Sequence, residues 1–126
     1  MMKFYKCMHC GNAIAFLETS GIVPQCCGDT MTLLDVNQID GIGEKHVPVI
    51  IVNGDRVSVD VGAVAHPMTG DHHIDWIVLE TNKGYHVSYQ NLIDGSPHAE
   101  FSLQKHEQVI AAYAYCNLHG LWAEEM

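Results

Sequence analysis

The segment PVIIVNGDRVSVDV, residues 48–61, decides the fold class because it carries the strongest β-hairpin signal in the chain. Two runs rich in β-branched residues flank Asn53-Gly54, a dipeptide that two-residue hairpin turns prefer. In the second run, Val57, Val59 and Val61 alternate with polar residues, which gives the strand one buried and one solvent-exposed face. The segment therefore predicts a pair of antiparallel strands.

The sequence after residue 61 continues this pattern of short strands. Apolar residues alternate from Ile74 to Val78, from Tyr85 to Tyr89 and from Ala99 to Leu103, with turn-forming residues between the runs. The run from Val109 to Tyr115 contains alanines that a helix would tolerate, but its aromatic residues alternate and its neighbours are strands. We therefore predict a strand there. About seven short strands predict an all-β protein whose main domain is an immunoglobulin-like antiparallel β-sandwich.

Composition and charge limit the partners of the protein. The 126 residues are enough for one domain with a small appendage, and their formal net charge is −9 at pH 7. This charge argues against nucleic acid or an anionic membrane as a partner. The sequence has neither an apolar run long enough for a transmembrane helix nor an apolar signal-peptide region before Cys7. We therefore expect a cytoplasmic protein.

Four of the five cysteines lie close to the N-terminus. The segment from Cys7 to Gly11 has the Cys-x-x-Cys-Gly form of a metal-binding knuckle. An odd number of cysteines, and the strain of a disulfide between adjacent residues, favour metal ligation over disulfides. Spacing alone favours zinc over iron. We predict a small domain, residues 1–36, held together by a metal on four thiolates, and a second domain, residues 37–126. The thiolates are those of Cys7, Cys10, Cys26 and Cys27.

A second set of possible metal donors lies in the larger domain. Cys116 and His119 stand three positions apart on a turn, a spacing found in metal sites and in nucleophilic dyads. His46, His66 and His72 each lie beside a turn, a proline or another donor. Four imidazoles and a thiolate exceed what a structural zinc ion needs, and they suggest a redox metal with an empty position for a small molecule. The remaining histidines have no strong claim as ligands: His9, His73, His86, His98 and His106.

The order of these motifs resembles a known family. Glu-Lys-His-x-Pro from Glu44, His-Pro-Met-x-x-x-His from His66 and Cys-Asn-x-His-Gly-x-Trp from Cys116 are similar to the catalytic domain of superoxide reductases. The leading Cys-x-x-Cys…Cys-Cys-Gly unit is similar to desulforedoxin. Together they cover nearly the whole chain and resemble the desulfoferrodoxin family. Its members are two-iron superoxide reductases with a desulforedoxin-like N-terminal domain and a neelaredoxin-like catalytic domain.

The resemblance implies a role for each candidate residue. The four N-terminal cysteines would bind one non-haem iron, which favours iron over zinc at that site. Glu44 would close the sixth position of a second iron in the ferric resting state, and Lys45 on the same loop would attract superoxide. Cys116 would be the axial ligand of this second iron. Its equatorial ligands would be His46, His66, His72 and His119.

The same resemblance implies a reaction and its partners. Ferrous iron would reduce superoxide to hydrogen peroxide, a rubredoxin-like electron donor would reduce the iron again, and the protein would be a homodimer. Two other interpretations remain. A zinc knuckle fused to a sandwich would be a non-catalytic binding module, which leaves the clustering of histidines unexplained. Alternatively, Cys116 would be a nucleophile activated by His119 or His66, which leaves the Glu-Lys-His motif unexplained.

Overall fold

A computed structural model describes residues 1–37 and 43–126, apart from the side chains of Glu44 and Asp94. The chain forms two compact units, Met1–Asp35 and Val36–Met126. Most of the turn-rich junction, residues 38–42, lies outside the described residues. Within the described ranges the regular elements are strands, apart from one helical turn and one 3₁₀ turn, so the all-β prediction is confirmed. No helix in these ranges is long and apolar enough to cross a membrane.

The first unit is built from short strands around the cysteine loops. The first strand of the unit pairs with the second and the fifth in an antiparallel sheet, and the third and fourth strands form a separate hairpin. Phe4, Cys7 and Met31 are buried at its centre. So small a core contributes little stability, and metal ligation is therefore expected to hold the unit together. The strands are β1 (Phe4–Lys6), β2 (Ala13–Ala15), β3 (Gln25–Cys26), β4 (Asp29–Thr30) and β5 (Thr32–Leu33).

The second unit is a sandwich of two antiparallel sheets. A single helical turn, α1 (Gly43–His46), precedes the strands, and a 3₁₀ turn spans Leu92–Asp94. One sheet has the strand order β10-β7-β6 and the other has the order β12-β11-β8-β9. The strands are β6 (Pro48–Asn53), β7 (Arg56–Val61), β8 (Ile74–Thr81), β9 (Gly84–Tyr89), β10 (His98–Ser102), β11 (Val109–Cys116) and β12 (Gly120–Glu125).

The predicted hairpin forms, but its turn lies one residue later than the sequence suggests. Asn53 belongs to β6 and pairs with Arg56 of β7, so the two-residue loop is Gly54-Asp55. Gly54 has a φ of +64°, and Asp55 has a negative φ. A positive φ at the first loop position alone is typical of a type II′ turn, which favours glycine there.

The hydrophobic core fills the space between the two sheets. Val57, Val59 and Val61 of β7 are at most 1% exposed and face side chains from β8 and β11. Full burial of an aliphatic side chain of this size contributes about 1.5–3 kcal/mol. Cys116, at the end of β11, belongs to the same core and is 0% exposed. A predicted metal donor is therefore held by the hydrophobic core of the sandwich.

Strand β11 resolves the ambiguity of its alanine-rich sequence. It pairs with β8 on one side and with β12 on the other, so it lies inside the larger sheet. Ala112 and Ala114 face the core between the sheets and are fully buried. The two rows of strand hydrogen bonds outweigh the helix propensity of alanine, which is a weak preference on its own.

Candidate metal centres

The four cysteines of the first unit meet at one point. Their Sγ atoms all lie within 4.8 Å of one another, and those of Cys10 and Cys26 are 3.6 Å apart. All five cysteines of the chain are free thiols, and a disulfide would need a sulfur–sulfur distance of about 2.0 Å. Four sulfurs bound tetrahedrally at about 2.3 Å from an ion would lie about 3.8 Å apart. The cluster therefore has the size of a tetrathiolate metal site.

The local backbone explains how the sulfurs converge. The amide of Cys10 donates to the Sγ of Cys7 at 3.4 Å, and Nδ2 of Asn12 donates to the Sγ of Cys26 at 3.7 Å. Cys27 has a φ of +54° and Gly28 a φ of +83°, so the chain turns in the left-handed region at both residues. For a residue with a side chain this costs about 1–2 kcal/mol. At Cys27 the strained conformation brings a fourth sulfur into the cluster.

The electrostatics of this cluster favour a cation. Hydrogen bonds from backbone amides, chiefly that of Cys10, lower the pKa of Cys7 to about 6. Contacts with neighbouring sulfurs, first that of Cys10, raise the pKa of Cys27 to about 12. Four thiolates this close repel one another, so a positive ion is needed to deprotonate all of them. The donor set fits one iron or zinc ion.

Three segments of the sandwich carry the donors of the second site. His46 ends α1, and His66 and His72 lie on the loop between β7 and β8. Cys116 ends β11, and His119 lies in the turn between β11 and β12. Strand pairing brings these segments together, because β8 and β12 both pair with β11, and because Pro48, just after α1, pairs with Val61 at the end of β7. Loops at one end of a rigid sandwich commonly carry functional residues.

The four imidazoles form a closed square. The rings follow the order His46, His66, His72 and His119 around the square. Starting from the first pair, the centroids of neighbouring rings are 4.5, 4.5, 5.0 and 4.9 Å apart. The angles between the planes of the same pairs are 78°, 77°, 80° and 89°. The diagonal between His46 and His72 is 6.1 Å. The nitrogens face inward, since Nε2 of His46 lies 3.0 Å from Nε2 of His66 and 3.1 Å from Nδ1 of His119. The square converges on a point where one ion would contact every ring.

The thiol of Cys116 lies beside this square. Its Sγ is 3.8 Å from Nδ1 of His119. The donor atoms of Cys116, His46, His72 and His119 all lie within 4.8 Å of one another. His66 lies outside that group of four, but its ring contacts those of His46 and His72. The structure thus brings together all five donors that the sequence suggested.

The protonation of these imidazoles suits a metal ion. Burial lowers the pKa of His66 to about 4 and also lowers the pKa of His72, so both rings are neutral near pH 7. Neutral imidazole is the form that binds metals. Nδ1 of His66 lies 2.7 Å from the carbonyl of Pro67, so Nδ1 holds the proton and Nε2 presents its lone pair to the square. The ring is thereby held in the tautomer that ligation requires.

Nε2 of His72 and the sulfur of Cys116 are both in surroundings that a positive ion would stabilise. Nε2 of His72 is buried and has no hydrogen-bond partner among the described residues. Such an atom costs about 1–3 kcal/mol unless something satisfies it. Burial raises the pKa of Cys116, although the amides of Leu118 and His119 oppose this by donating to its sulfur. A cation in the square would satisfy the nitrogen and stabilise the thiolate, so the residues fit a bound metal ion.

The structure describes the side chain of only one of the two residues predicted beside the open position, Lys45 and Glu44. Lys45 is exposed on α1, next to His46. Its positive charge is the last of the causes that lower the pKa of His72, after burial and the neighbouring histidines. Lys45 is therefore close enough to influence the square. The side chain of Glu44 lies outside the described residues, so its predicted position stays a prediction.

Histidines without a predicted role as ligands contact other groups. His73 faces away from the square, with Nδ1 2.8 Å from the carbonyl of Thr69 and Nε2 3.0 Å from Asp75. This agrees with the expectation that adjacent histidines cannot both face one metal. The other three with carboxylate partners are His9 with Asp29, His86 with Glu107 and His98 with Asp60.

The structure adds residues around the second site that the sequence analysis did not assign. The ring of Trp122 lies 4.9 Å from that of His46, and its Nε1–H donates to the carbonyl of His119 at 3.1 Å. Asn117 hydrogen-bonds to the loop that carries His72. Both Trp122 and Asn117 belong to the Cys-Asn-x-His-Gly-x-Trp motif, so their identity was visible in the sequence, but their contacts were not.

A four-cysteine site on a small β unit, and a four-histidine, one-cysteine site on an antiparallel sandwich, define a non-haem metalloprotein with two mononuclear centres. The sequence profile of the desulfoferrodoxin family matches residues 38–125, which is most of the chain. The chain belongs to the desulfoferrodoxin family. The resemblance inferred from the motifs is confirmed, and the family together with the two donor groups confirms the predicted pair of iron centres.

Two of the following three relatives match the chain over both units. Desulfoferrodoxin of Nitratidesulfovibrio vulgaris is 43% identical over 125 residues, which cover 98% of this chain and 95% of that protein. Superoxide reductase of Thermococcus kodakarensis is 36% identical over 104 residues, which cover 69% of this chain and 90% of that protein. The crystal structure of superoxide reductase from Treponema pallidum matches with a TM-score of 0.83 and 35% identity, over 99% of this chain and 98% of that one.

Proposed function

We propose that this protein is a superoxide reductase that converts superoxide to hydrogen peroxide at the second centre. The observation that carries this proposal is the square of four inward-facing imidazoles beside the buried thiol of Cys116. An ion held by these five donors would have room to bind a small molecule as well. The names of the relatives from Thermococcus kodakarensis and Treponema pallidum support the same activity.

The residues of the chain have separate tasks in this reaction. When bound, a ferrous ion supplies the one electron that, with two protons, converts superoxide to hydrogen peroxide, and an external donor restores that electron. Cys116 would supply a thiolate to the ion, and the core holds this residue in place. Pro67 fixes the tautomer of His66, and Trp122 fixes the backbone of His119. These contacts keep the donor set rigid while the oxidation state changes.

Lys45 guides the substrate in this proposal. Superoxide is an anion, and the chain has a formal net charge of −9, so the average field of the protein repels it. An exposed ammonium beside the square provides a local attraction and can orient a proton-donating water. Glu44, on the same helical turn, is proposed as the residue that would bind the ferric ion in the resting state.

The remaining assignments concern the whole protein. We assign residues 1–36 to a desulforedoxin-like iron domain, with Cys7, Cys10, Cys26 and Cys27 as ligands, and residues 37–126 to the catalytic domain. The electron donor is proposed to be a rubredoxin-like protein, and the active form to be a cytoplasmic homodimer. Full-length similarity to desulfoferrodoxins supports the two-domain assignment.

The first test is the metal content and visible spectrum of the protein, before and after mild oxidation. We expect two irons per chain and a new absorption band when the second centre is oxidised, because iron–thiolate centres absorb visible light. One colourless zinc per chain, with no iron in protein produced under iron-replete conditions, would instead favour the zinc-knuckle binding module.

A substitution of Cys116 tests the mechanism. In Cys116→Ser we expect loss of superoxide reduction and of the absorption band of the second centre, since a serine oxygen is a poor donor to iron at neutral pH. The spectrum of the first centre serves as an internal control, because its four sulfurs are unchanged. Full superoxide reductase activity in this variant would refute the role of Cys116.

A further inference from the structure

Asn117 connects two parts of the second site that are far apart in sequence. It follows Cys116 directly and lies in the turn between β11 and β12. Its backbone amide donates to the carbonyl of His73 at 3.1 Å, and its Oδ1 accepts from the amide of His73 at 2.9 Å. Its Nδ2 donates to the carbonyl of Asp71 at 3.0 Å. Asn117 therefore binds the chain immediately before and immediately after His72.

This contact matters because a loop holds His72. His46 and His66 are each 2% exposed and are fixed by the packing around them, whereas His72 is only partly buried. Within the loop, Thr69 closes a turn by accepting from the amide of His72 and donating to its carbonyl. These bonds lie within the loop, so they fix its shape but not its position relative to the strands. The bonds of Asn117 dock the turn against the strand that ends in Cys116.

We propose that Asn117 is a positioning residue that fixes the His72 imidazole relative to the Cys116 thiolate. Its side-chain amide holds both flanks of His72, so Nε2 of that ring, buried and unpartnered among the described residues, stays aimed into the square. The proposal rests on the proposed function, because it requires the second centre to bind iron. Substitution of residues that orient metal ligands typically weakens metal binding about 10–100-fold.

The chain contains a matched control for this proposal. Asn82 makes the same three bonds at the other end of β11: its amide donates to the carbonyl of Gln108 at 3.0 Å, its Oδ1 accepts from the amide of Gln108 at 2.8 Å, and its Nδ2 donates to the carbonyl of His106 at 3.3 Å. Alanine at either position removes two side-chain hydrogen bonds of the same kind. Only one of the two asparagines contacts a loop with a metal donor.

The experiment compares the full-length, iron-loaded wild-type protein with Asn117→Ala, Asn117→Asp and Asn82→Ala. Iron affinity of the second centre is measured by competition with a ferrous chelator, and the absorption band of the oxidised second centre is recorded. The spectrum of the first centre reports the amount of protein, and thermal unfolding followed by circular dichroism reports whether the sandwich is folded. We expect Asn117→Ala to bind iron about 10–100-fold more weakly and to shift the band. Asn82→Ala should stay within about two-fold of wild type, because distant sites act independently.

Asn117→Asp keeps the proposal testable if the alanine variant does not fold. Aspartate can still accept from the amide of His73 but cannot donate to the carbonyl of Asp71, so we expect an intermediate affinity. Wild-type affinity and an unshifted band in both Asn117 variants would overturn the proposal, as would an equal loss in Asn82→Ala. If the second centre of the wild-type protein bound no iron, the proposed function itself would fail.

Discussion

Gly62→Ala is a direct test of how the sandwich holds the turn that carries His46. Gly62 follows β7 with a φ of +87°, and its amide donates to the carbonyl of Val47 at 3.2 Å. A Cβ at this position would lie 2.3 Å from the carbonyl oxygen of Val64 and 2.6 Å from that of Lys45. Both neighbours are backbone atoms, so no side-chain rotation can relieve the contact.

The expected destabilisation has two causes. A left-handed φ costs a residue with a Cβ about 1–2 kcal/mol. The Cβ must also gain at least 0.7 Å from Val64, because contacts under 3.0 Å are essentially never observed. Overpacking of this kind costs about 1–3 kcal/mol, which brings the loss of stability to about 2–5 kcal/mol. Since Lys45 precedes His46, a shift of its carbonyl also displaces a metal donor.

The assay is thermal unfolding together with the iron content of each centre. Gly95→Ala is the control: Gly95 has a φ of +82°, and a Cβ there would meet no atom within 4 Å. We expect the control to lose about 1–2 kcal/mol and to keep both irons, whereas Gly62→Ala loses more stability and the iron of the second centre. The reasoning is refuted if the two variants unfold at the same temperature with equal iron.

Two further predictions concern charge. Lys45→Ala should slow the reaction with superoxide about tenfold at low ionic strength while both irons remain. Lys105→Ala, which makes the same charge change near the far end of β11, should leave the rate unchanged. Equal rates in the two variants would contradict guidance by Lys45. Hydrogen bonds, first that from the amide of Gln104, lower the pKa of Glu107 to about 2 from 4.5. The stability that this carboxylate confers is therefore complete above pH 4.5 and is lost as the pH falls toward 2. The difference in melting temperature between wild type and Glu107→Gln should shrink across that range, and a constant difference would show that the carboxylate charge does not matter.

Strand positions were predictable because alternation along a strand records which face is buried. The valines of β7 alternate in the sequence and are at most 1% exposed in the structure. The hairpin turn was placed one residue early, since Asn53-Gly54 is the commoner turn dipeptide but Asn53 pairs with Arg56. Cross-strand register depends on contacts between distant residues, which local preference does not contain.

The sequence named the five side chains that lie together at the second site, but it did not indicate their arrangement. Residue type and spacing picked out all five, and the rings follow one another around the square in chain order. Nothing in the sequence indicated that Asn117 binds both flanks of His72, or that Gly62 lies against the carbonyl of Lys45. These contacts join segments that are far apart in the chain, so short-range patterns cannot reveal them.

The donors of the second centre differ in how firmly the fold holds them. Cys116 is a core residue in a strand paired on both sides, so displacing it means opening the sandwich. His72 is held through a loop, and loops open locally at a lower free energy than core strands. The core thus fixes the thiol of Cys116 directly, whereas the imidazole of His72 depends on the hydrogen bonds of Asn117 to hold its loop in place. Asn117 lies where the core strand and the loop meet, so its hydrogen bonds carry the rigidity of the strand to the loop.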